Sequence, residues 1–207
     1  KADVDLLIID TAHGHTTKVS KMIKNVKKKI SRVNLCAGNI ATGKAAKFLA
    51  DSGADIVKVG IGPGSICTTR LVAGIGVPQL SAIIDVKKSL RNYKTKIISD
   101  GGIKFSGDLA KGLAAGADCI MIGSLFSGTN ESPGKIIKIK GKFYKNFRGM
   151  GSVGAMSVGS SDRYYQKKYK DISKYVPEGV EGLVKYKGQV SKIIYNLVGG
   201  LKSSMGY

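Results

Sequence analysis

The chain has 207 residues, 43% of them hydrophobic, enough for one domain with a real core but with no apolar run long enough to span a bilayer. Lys and Arg number 34 against 14 Asp and Glu, a net charge of +20 that would suit nucleic acid. Yet Lys18, Lys21, Lys24, Lys27, Lys28 and Lys29 fall where a helix would face solvent, and no aromatic residues interleave with them to stack bases. The reading is a solvated, lysine-biased surface whose field would favour an anionic substrate.

Short apolar strands alternate with helical periodicity. Residues 5–9 read as a strand, reached from a charged start unlike a signal peptide, and about 17–30 as a helix. The next strand is 33–37, its helix about 41–52. A third strand, 56–59, enters a glycine-rich loop, and 79–91 is helical. Strand 96–99 precedes a helix over about 106–115, and 119–122 is the fifth strand. Continuous apolar runs of this kind suit parallel strands covered on both faces, and the alternation argues for a parallel α/β architecture.

Polar residues and glycines follow each strand: Asp10, Gly38-Asn39, Gly60, Asp100-Gly101-Gly102 and Gly123-Ser124. Reactive groups gather at strand C-termini in a βα barrel, which is the architecture favoured here; an open doubly wound sheet is the alternative. Beyond Ser124, residues 136–139 and 142–144 read as a hairpin around Lys140-Gly141. A long Gly- and Ser-rich stretch from Arg148 to Tyr165 lacks core periodicity and reads as a mobile flap. A final helix spans about 189–198, ahead of Gly199-Gly200.

The most informative segment is Gly60-Ile61-Gly62-Pro63-Gly64-Ser65-Ile66-Cys67-Thr68-Thr69-Arg70. Glycines let a backbone turn tightly beside a ligand, so Cys67 is either a thiol presented to substrate or a buried turn cysteine. Thr69 adds a hydroxyl, and Arg70 a charge that would favour the thiolate. Cys36 and Cys119 fall within strands and read as core thiols. The cysteine spacing suits neither zinc nor a disulfide framework, which fits a reducing, cytoplasmic setting. His13 and His15 read as turn polarity and not as metal ligands.

These motifs, with Ser99-Asp100-Gly101-Gly102-Ile103, Met121-Ile122-Gly123-Ser124, Arg148-Gly149-Met150-Gly151-Ser152, Ser160-Ser161-Asp162-Arg163-Tyr164 and Val176-Pro177-Glu178-Gly179, closely resemble the IMP dehydrogenase family in its bacterial form. GMP reductase shares the cysteine loop and the Asp-Gly-Gly segment; the Arg148 and Arg163 segments point to the dehydrogenase. The resemblance covers essentially the whole chain. It implies NAD-dependent oxidation of IMP to XMP, with Cys67 as nucleophile and Arg163, Tyr164 and Thr69 serving the water that hydrolyses the adduct. Read from spacing alone, Arg163 is first a phosphate or surface arginine.

The same resemblance puts Asp100 on the ribose hydroxyls, though it could also be a turn or capping aspartate. It puts Ser65, Gly102, Gly123, Ser124 and Phe147 near the phosphate, Phe147 standing where tyrosine is usual. Met150, Gly151 and Glu178 match positions on the hypoxanthine edge, with a surface carboxylate as the other reading of Glu178. Asp10, Asn39 and Gly60 match the NAD side, Asn39 otherwise being a turn residue. Main-chain carbonyls of Gly62, Gly64 and Cys67 match a potassium site, and Leu183 replaces a usual arginine. The family implies a homotetramer with no membrane or nucleic-acid partner, built on a (β/α)8 TIM barrel. Five strands, about the fourth to the eighth, are expected here: residues 1–134 as barrel, 135–188 as hairpin and flap, 189–207 as helix and tail. The first three strands and the regulatory CBS pair lie outside the 207 residues, which read as a fragment expected not to fold stably alone.

Overall fold

The computed structural model describes residues 3–207; Lys1 and Ala2, at the head of the stretch read as leading into the first strand, lie outside them. The elements in order are β1 (Leu6–Asp10), α1 (Thr17–Lys29), β2 (Asn34–Ile40), α2 (Gly43–Asp51), β3 (Ile56–Val59), a single turn α3 (Thr69–Val72), α4 (Gln79–Ser89), β4 (Lys96–Asp100), α5 (Ser106–Ala114) and β5 (Cys119–Met121). The five strands form one parallel sheet in the order β1-β2-β3-β4-β5. A doubly wound sheet reverses direction at a switch point, and this one does not, which sets that alternative aside.

Local chemistry explains the helices. Thr16 caps α1 by accepting from the Val19 N–H at 3.3 Å, and Lys27, Lys28 and Lys29 lie at the negative end of its dipole. Thr42 caps α2 through the Ala45 N–H at 3.3 Å. The apolar stripes then meet the sheet. Ile23, Leu49, Ile83 and Val86 from the helices pack with Leu35, Val57, Val59 and Ile97 from the strands, and none is more than 1% exposed. Burial of each such side chain stabilises the fold by roughly 1.5–3 kcal/mol.

A second, antiparallel sheet follows, formed by β6 (Ile136–Ile139), β7 (Lys142–Arg148) and, after α6 (Val153–Ala155), β8 (Glu181–Lys185); α7 (Val190–Gly206) closes the chain. Lys140 and Gly141 both have positive φ, 46° and 78°, the two-residue turn that matches strand twist in a hairpin.

Several sequence expectations need correction. The expected second strand, 33–37, continues to Ile40, with a register shift between Gly38 and Ile40, so Asn39 lies on a bulge inside β2 and does not follow the strand. β7 runs on to Arg148, and β8 was not expected at all; its sequence Glu-Gly-Leu-Val-Lys is too polar to read as a strand until β7 supplies the hydrogen bonds. The Gly- and Ser-rich stretch holds α6 and short turns at Met156–Ser160 and Ser161–Tyr164, with another at Ile172–Lys174 beyond it, and it buries Met156. Turns this short cannot repeat an apolar pattern.

The last helix runs through Gly199-Gly200 to Gly206, because α7 packs on α5 at that point. A Cβ at Gly200 would lie 2.2 Å from Ser106 Oγ. Cys119 is exposed and not a core thiol, since β5 is the sheet's edge strand. Cys36 is buried as expected, and burial pushes its thiol up to about 12. Of the lysines assigned to the surface of α1, Lys27 is only half exposed, pairing with Asp55 at 2.5 Å. Among the described residues, no helix is long and apolar enough to cross a membrane.

Candidate active site

The C-terminal ends of the strands open on a cavity of about 320 Å³. Asp10, Asn39, Asp100, Gly102, Gly123 and Ser124 reach it from strand ends. Gly60, Gly62, Gly64, Ser65, Cys67 and Thr69 reach it from the loop after β3. Phe147, Met150, Gly151, Arg163, Tyr164 and Glu178 close it from β7 and the flap. The residues matched in the sequence to catalysis, substrate, cofactor or ion therefore share one cavity. A larger, more open hollow of about 1020 Å³ lies between the flap and the second sheet, sharing Asp10, Phe147 and Arg163 with it.

The cysteine loop is held by its own turn and by the segment just before β8. The Cys67 N–H donates to the Gly64 carbonyl at 3.2 Å. The Thr68 N–H donates to the Glu178 carbonyl at 2.9 Å, and the Val180 N–H to the Ile66 carbonyl at 3.1 Å. Glycine at 60 is required by close approach, for a Cβ there would lie 2.1 Å from the Asp100 carbonyl oxygen. Half-buried Cys67 points its Sγ at Thr69 Oγ1, 3.2 Å away, and Thr69 donates in turn to Glu178 Oε2 at 2.7 Å. This chain leads a proton from thiol to hydroxyl to carboxylate. Glu178 is thus no surface carboxylate. Arg70 was expected to favour the thiolate, but it is exposed, donates to the Val77 carbonyl at 2.9 Å, and does not line the cavity.

A charged cluster faces the cysteine. Lys58, with a side chain only 4% exposed, lies between Asp10 at 3.0 Å and Asp100, with which it forms a short ion pair. Arg163 from the flap pairs with Asp10, and its carbonyl accepts from the Ala12 N–H at 2.9 Å. Burial works against ionisation of Asp10, but Lys58 and Arg163 outweigh it and hold the carboxyl below its ordinary value. Burial likewise works against the Arg163 cation, and Asp10 reverses that, raising its pKa. Tyr164 is raised by burial, which outweighs the pull of Arg163. Asn39 is no simple turn residue: its Nδ2 donates to Asp100 Oδ2 at 2.9 Å and to the Gly60 carbonyl at 2.8 Å. Asp100 does not cap α5; Asp108 does, accepting from the Lys104 and Phe105 N–H groups.

Two residues that tie the site together went unnoticed in the sequence. Lys58 interrupts the apolar run Ile56-Val57-Lys58-Val59, and a lysine within a buried strand is a signal in itself. Gln79 donates from Nε2 to the Val59 carbonyl at 2.8 Å and to Ser99 Oγ at 3.1 Å, tying the ends of β3 and β4 together. Nothing in its sequence context distinguishes it from an ordinary first-turn glutamine.

The cavity offers two further kinds of group. The buried Asn39 Oδ1 has no hydrogen-bond partner among the described residues, an acceptor suited to a ligand N–H or O–H. Around the cysteine loop, the carbonyls of Gly62 and Cys67 accept no backbone hydrogen bond among the described residues, and that of Gly64 accepts only the Cys67 N–H. A carbonyl has two lone pairs, so all three suit a hard cation that takes oxygen ligands. His13 and His15 are not part of it; His15 packs on Phe48 with ring centroids 4.9 Å apart. No group of three His, Cys, Asp or Glu poised for a metal occurs among the described residues.

Comparison with known proteins gives a consistent result. The sequence model of the IMP dehydrogenase / GMP reductase domain matches residues 1–207. The inosine-5'-monophosphate dehydrogenase of Rhizobium tropici is 57% identical over 206 residues, spanning 100% of this chain and 41% of that protein. Those of Staphylococcus aureus and Aquifex aeolicus are 56% and 53% identical, each aligned with 100% of this chain and 42% of its own length. The chain thus spans well under half the length of these curated relatives.

Proposed function

The chain belongs to the IMP dehydrogenase / GMP reductase domain family, and on that premise we propose that it forms the active-site portion of an enzyme oxidising IMP to XMP with NAD. The observation that carries this reading is the line from Cys67 through Thr69 to Glu178, set in one cavity with Asp100. In this reading the chain contributes the last five strands of an eight-stranded barrel, with residues 135–188 as hairpin and flap, in a cytoplasmic homotetramer.

Thr69 and Glu178 take the thiol proton, and the Cys67 thiolate attacks C2 of the hypoxanthine ring. The S–C2 bond forms as a hydride leaves C2. Bound NAD supplies the hydride acceptor. Water then adds to C2, the C2–S bond breaks, and the sulfur regains a proton. Asp100 accepts hydrogen bonds from the ribose hydroxyls, while Ser65, Gly102, Gly123 and Ser124 offer hydroxyl and N–H groups to the phosphate beside Phe147. Met150 and Gly151 border the base with Glu178. Asp10, Asn39 and Gly60 would hold the nicotinamide end of NAD, and the carbonyls of Gly62, Gly64 and Cys67 a potassium ion that stiffens the loop.

Arg163 bears on the hydrolytic step. Paired with Asp10 it is held as a cation, so its work as a base on water, beside Tyr164, requires that it leave Asp10. Once the adduct has formed and Glu178 has released the thiol proton to solvent, Glu178, reached through Thr69, is again an acceptor in line for a proton of the water. Since Arg163 occupies the place assigned to the cofactor, the flap docks after the reduced cofactor departs.

The test is to incubate the full-length protein with IMP and NAD and follow NADH and XMP. Turnover that Cys67→Ala abolishes is expected. No turnover of IMP, or activity retained without the thiol, would overturn the reading; turnover of GMP alone would point to the reductase branch.

A further inference from the structure

Lys58 has no part in the mechanism above, yet it is the most buried charge in the site. Its side chain is 4% exposed, its neighbours on β3 are core residues, and two carboxylates from different strands converge on it. The groups facing it are Asp10 from β1, Asp100 from β4, the neutral Cys36 thiol from β2 and, through Asp10, Arg163 from the flap. Asp10 Oδ1 is shared by Lys58 and Arg163.

With the flap docked the cluster balances, two carboxylates against two cations. When Arg163 withdraws, Lys58 alone stands against both carboxylates and a single negative charge remains in excess. Without Lys58 that excess would double, and the attraction of the site for Arg163 would rise with it. Asp10 keeps a 37% exposed side chain, yet its charge stands beside Asp100 and is costly without a cation near it, so the undocked state depends on Lys58 more than the docked state does.

We propose that Lys58 is a positioning residue that lets the flap undock: it holds Asp10 and Asp100 apart, aimed into the cavity, and neutralises Asp10 whenever Arg163 is elsewhere. The proposal rests on the reading of the flap as a segment that moves. It gives the pocket a fixed preference for a cationic group in the place Arg163 vacates, and the oxidised nicotinamide ring, a cation until it accepts hydride, is of that class.

Flap docking can be read without turnover. Lys167, Lys168 and Lys170 are exposed on the flap and offer sites for trypsin. In the full-length protein at pH 8, Lys58→Met should slow cleavage there by about three- to tenfold, because Arg163 is bound more tightly. Lys58→Gln, which keeps polar contacts but not the charge, should do the same and serves if the Met variant does not fold. Lys58→Arg should cleave at the wild-type rate, and Asp10→Asn should cleave faster. A merely structural lysine would give the opposite sign, since loosening the site exposes the flap. Equal or faster cleavage in the uncharged variants, with Asp10→Asn still loosening the flap, would overturn the role of Lys58 alone. An unchanged rate in Asp10→Asn would remove the docking contact itself, and with it the moving-flap reading.

Discussion

Thr69 donates its hydroxyl to Glu178 at 2.7 Å across 109 residues of sequence, joining the cysteine loop to the strand-end beyond the flap. The carboxylate is thereby held two hydrogen bonds from the nucleophile. Glu178→Gln preserves the shape and removes the proton acceptor. Turnover should fall by about 10²- to 10⁴-fold with KM for IMP changed little. A raised KM with turnover unchanged would mean Glu178 serves binding alone.

Arg163→Ala separates the two half-reactions. The first burst of NADH should survive, since hydride leaves before the flap docks, while steady turnover slows by about 10²-fold or more. Rapid-mixing absorbance shows whether the burst is present, and its disappearance would contradict the assignment to hydrolysis.

Asp10 links stability to pH. Its folded-state carboxyl is depressed below its ordinary 3.8, burial being outweighed by Lys58 and Arg163. A depressed acid contributes stability that is complete above 3.8 and fades as pH falls through the lower folded value. Arg163 is raised above its already high ordinary value, so its contribution is complete throughout the neutral and acid range and is lost only in strong alkali. The melting temperature of the full-length protein should be insensitive to this pair between about pH 5 and 10 and fall below pH 4. Asp10→Asn should lower the plateau and flatten that acid limb.

Gly60→Ala tests the junction of β3 and β4. The added Cβ would lie 2.1 Å from the Asp100 carbonyl oxygen, a backbone atom with little room to move. A destabilisation of about 1–3 kcal/mol is expected by denaturant melting. Activity should fall further than stability, because Asp100 and Cys67 flank the displaced segment.

Two of the thiols should label differently. At pH 8, Cys67 is half-buried in an open cavity, whereas Cys36 is buried with its thiol pushed up to about 12. Iodoacetamide followed by peptide mass spectrometry should find Cys36 unmodified in the folded full-length protein and Cys67 modified. IMP should protect Cys67.

Much of this arrangement was legible in the chain. Five apolar strands, each ending in Gly, Asp or Asn, announce a parallel sheet with a polar mouth, and the three glycines before Cys67 announce a constrained loop. What stayed hidden depends on partners distant in sequence. β8 is a strand only because β7 lies beside it, α7 passes two glycines because α5 packs there, and Cys119 is exposed because its strand is an edge. Arg70 shows the converse. A charge close in sequence to the thiol suggested an influence that the turn of α3 removes. Lys58 was visible but unread, since its meaning lies in carboxylates on two other strands.

The two ends of the flap are stapled to each other. The Glu178 N–H donates to the Gly151 carbonyl at 3.0 Å, and the Gly149 N–H to the Val180 carbonyl at 3.0 Å. The segment between them is therefore a closed loop whose mouth is fixed whatever its interior does. Doubling the length of such a loop costs only about 0.6 kcal/mol in closure entropy. Insertions or deletions within residues 165–175 should leave Cys67, Thr69 and Glu178 where they are. A change of length there would thus alter the flap with the nucleophile's surroundings held constant.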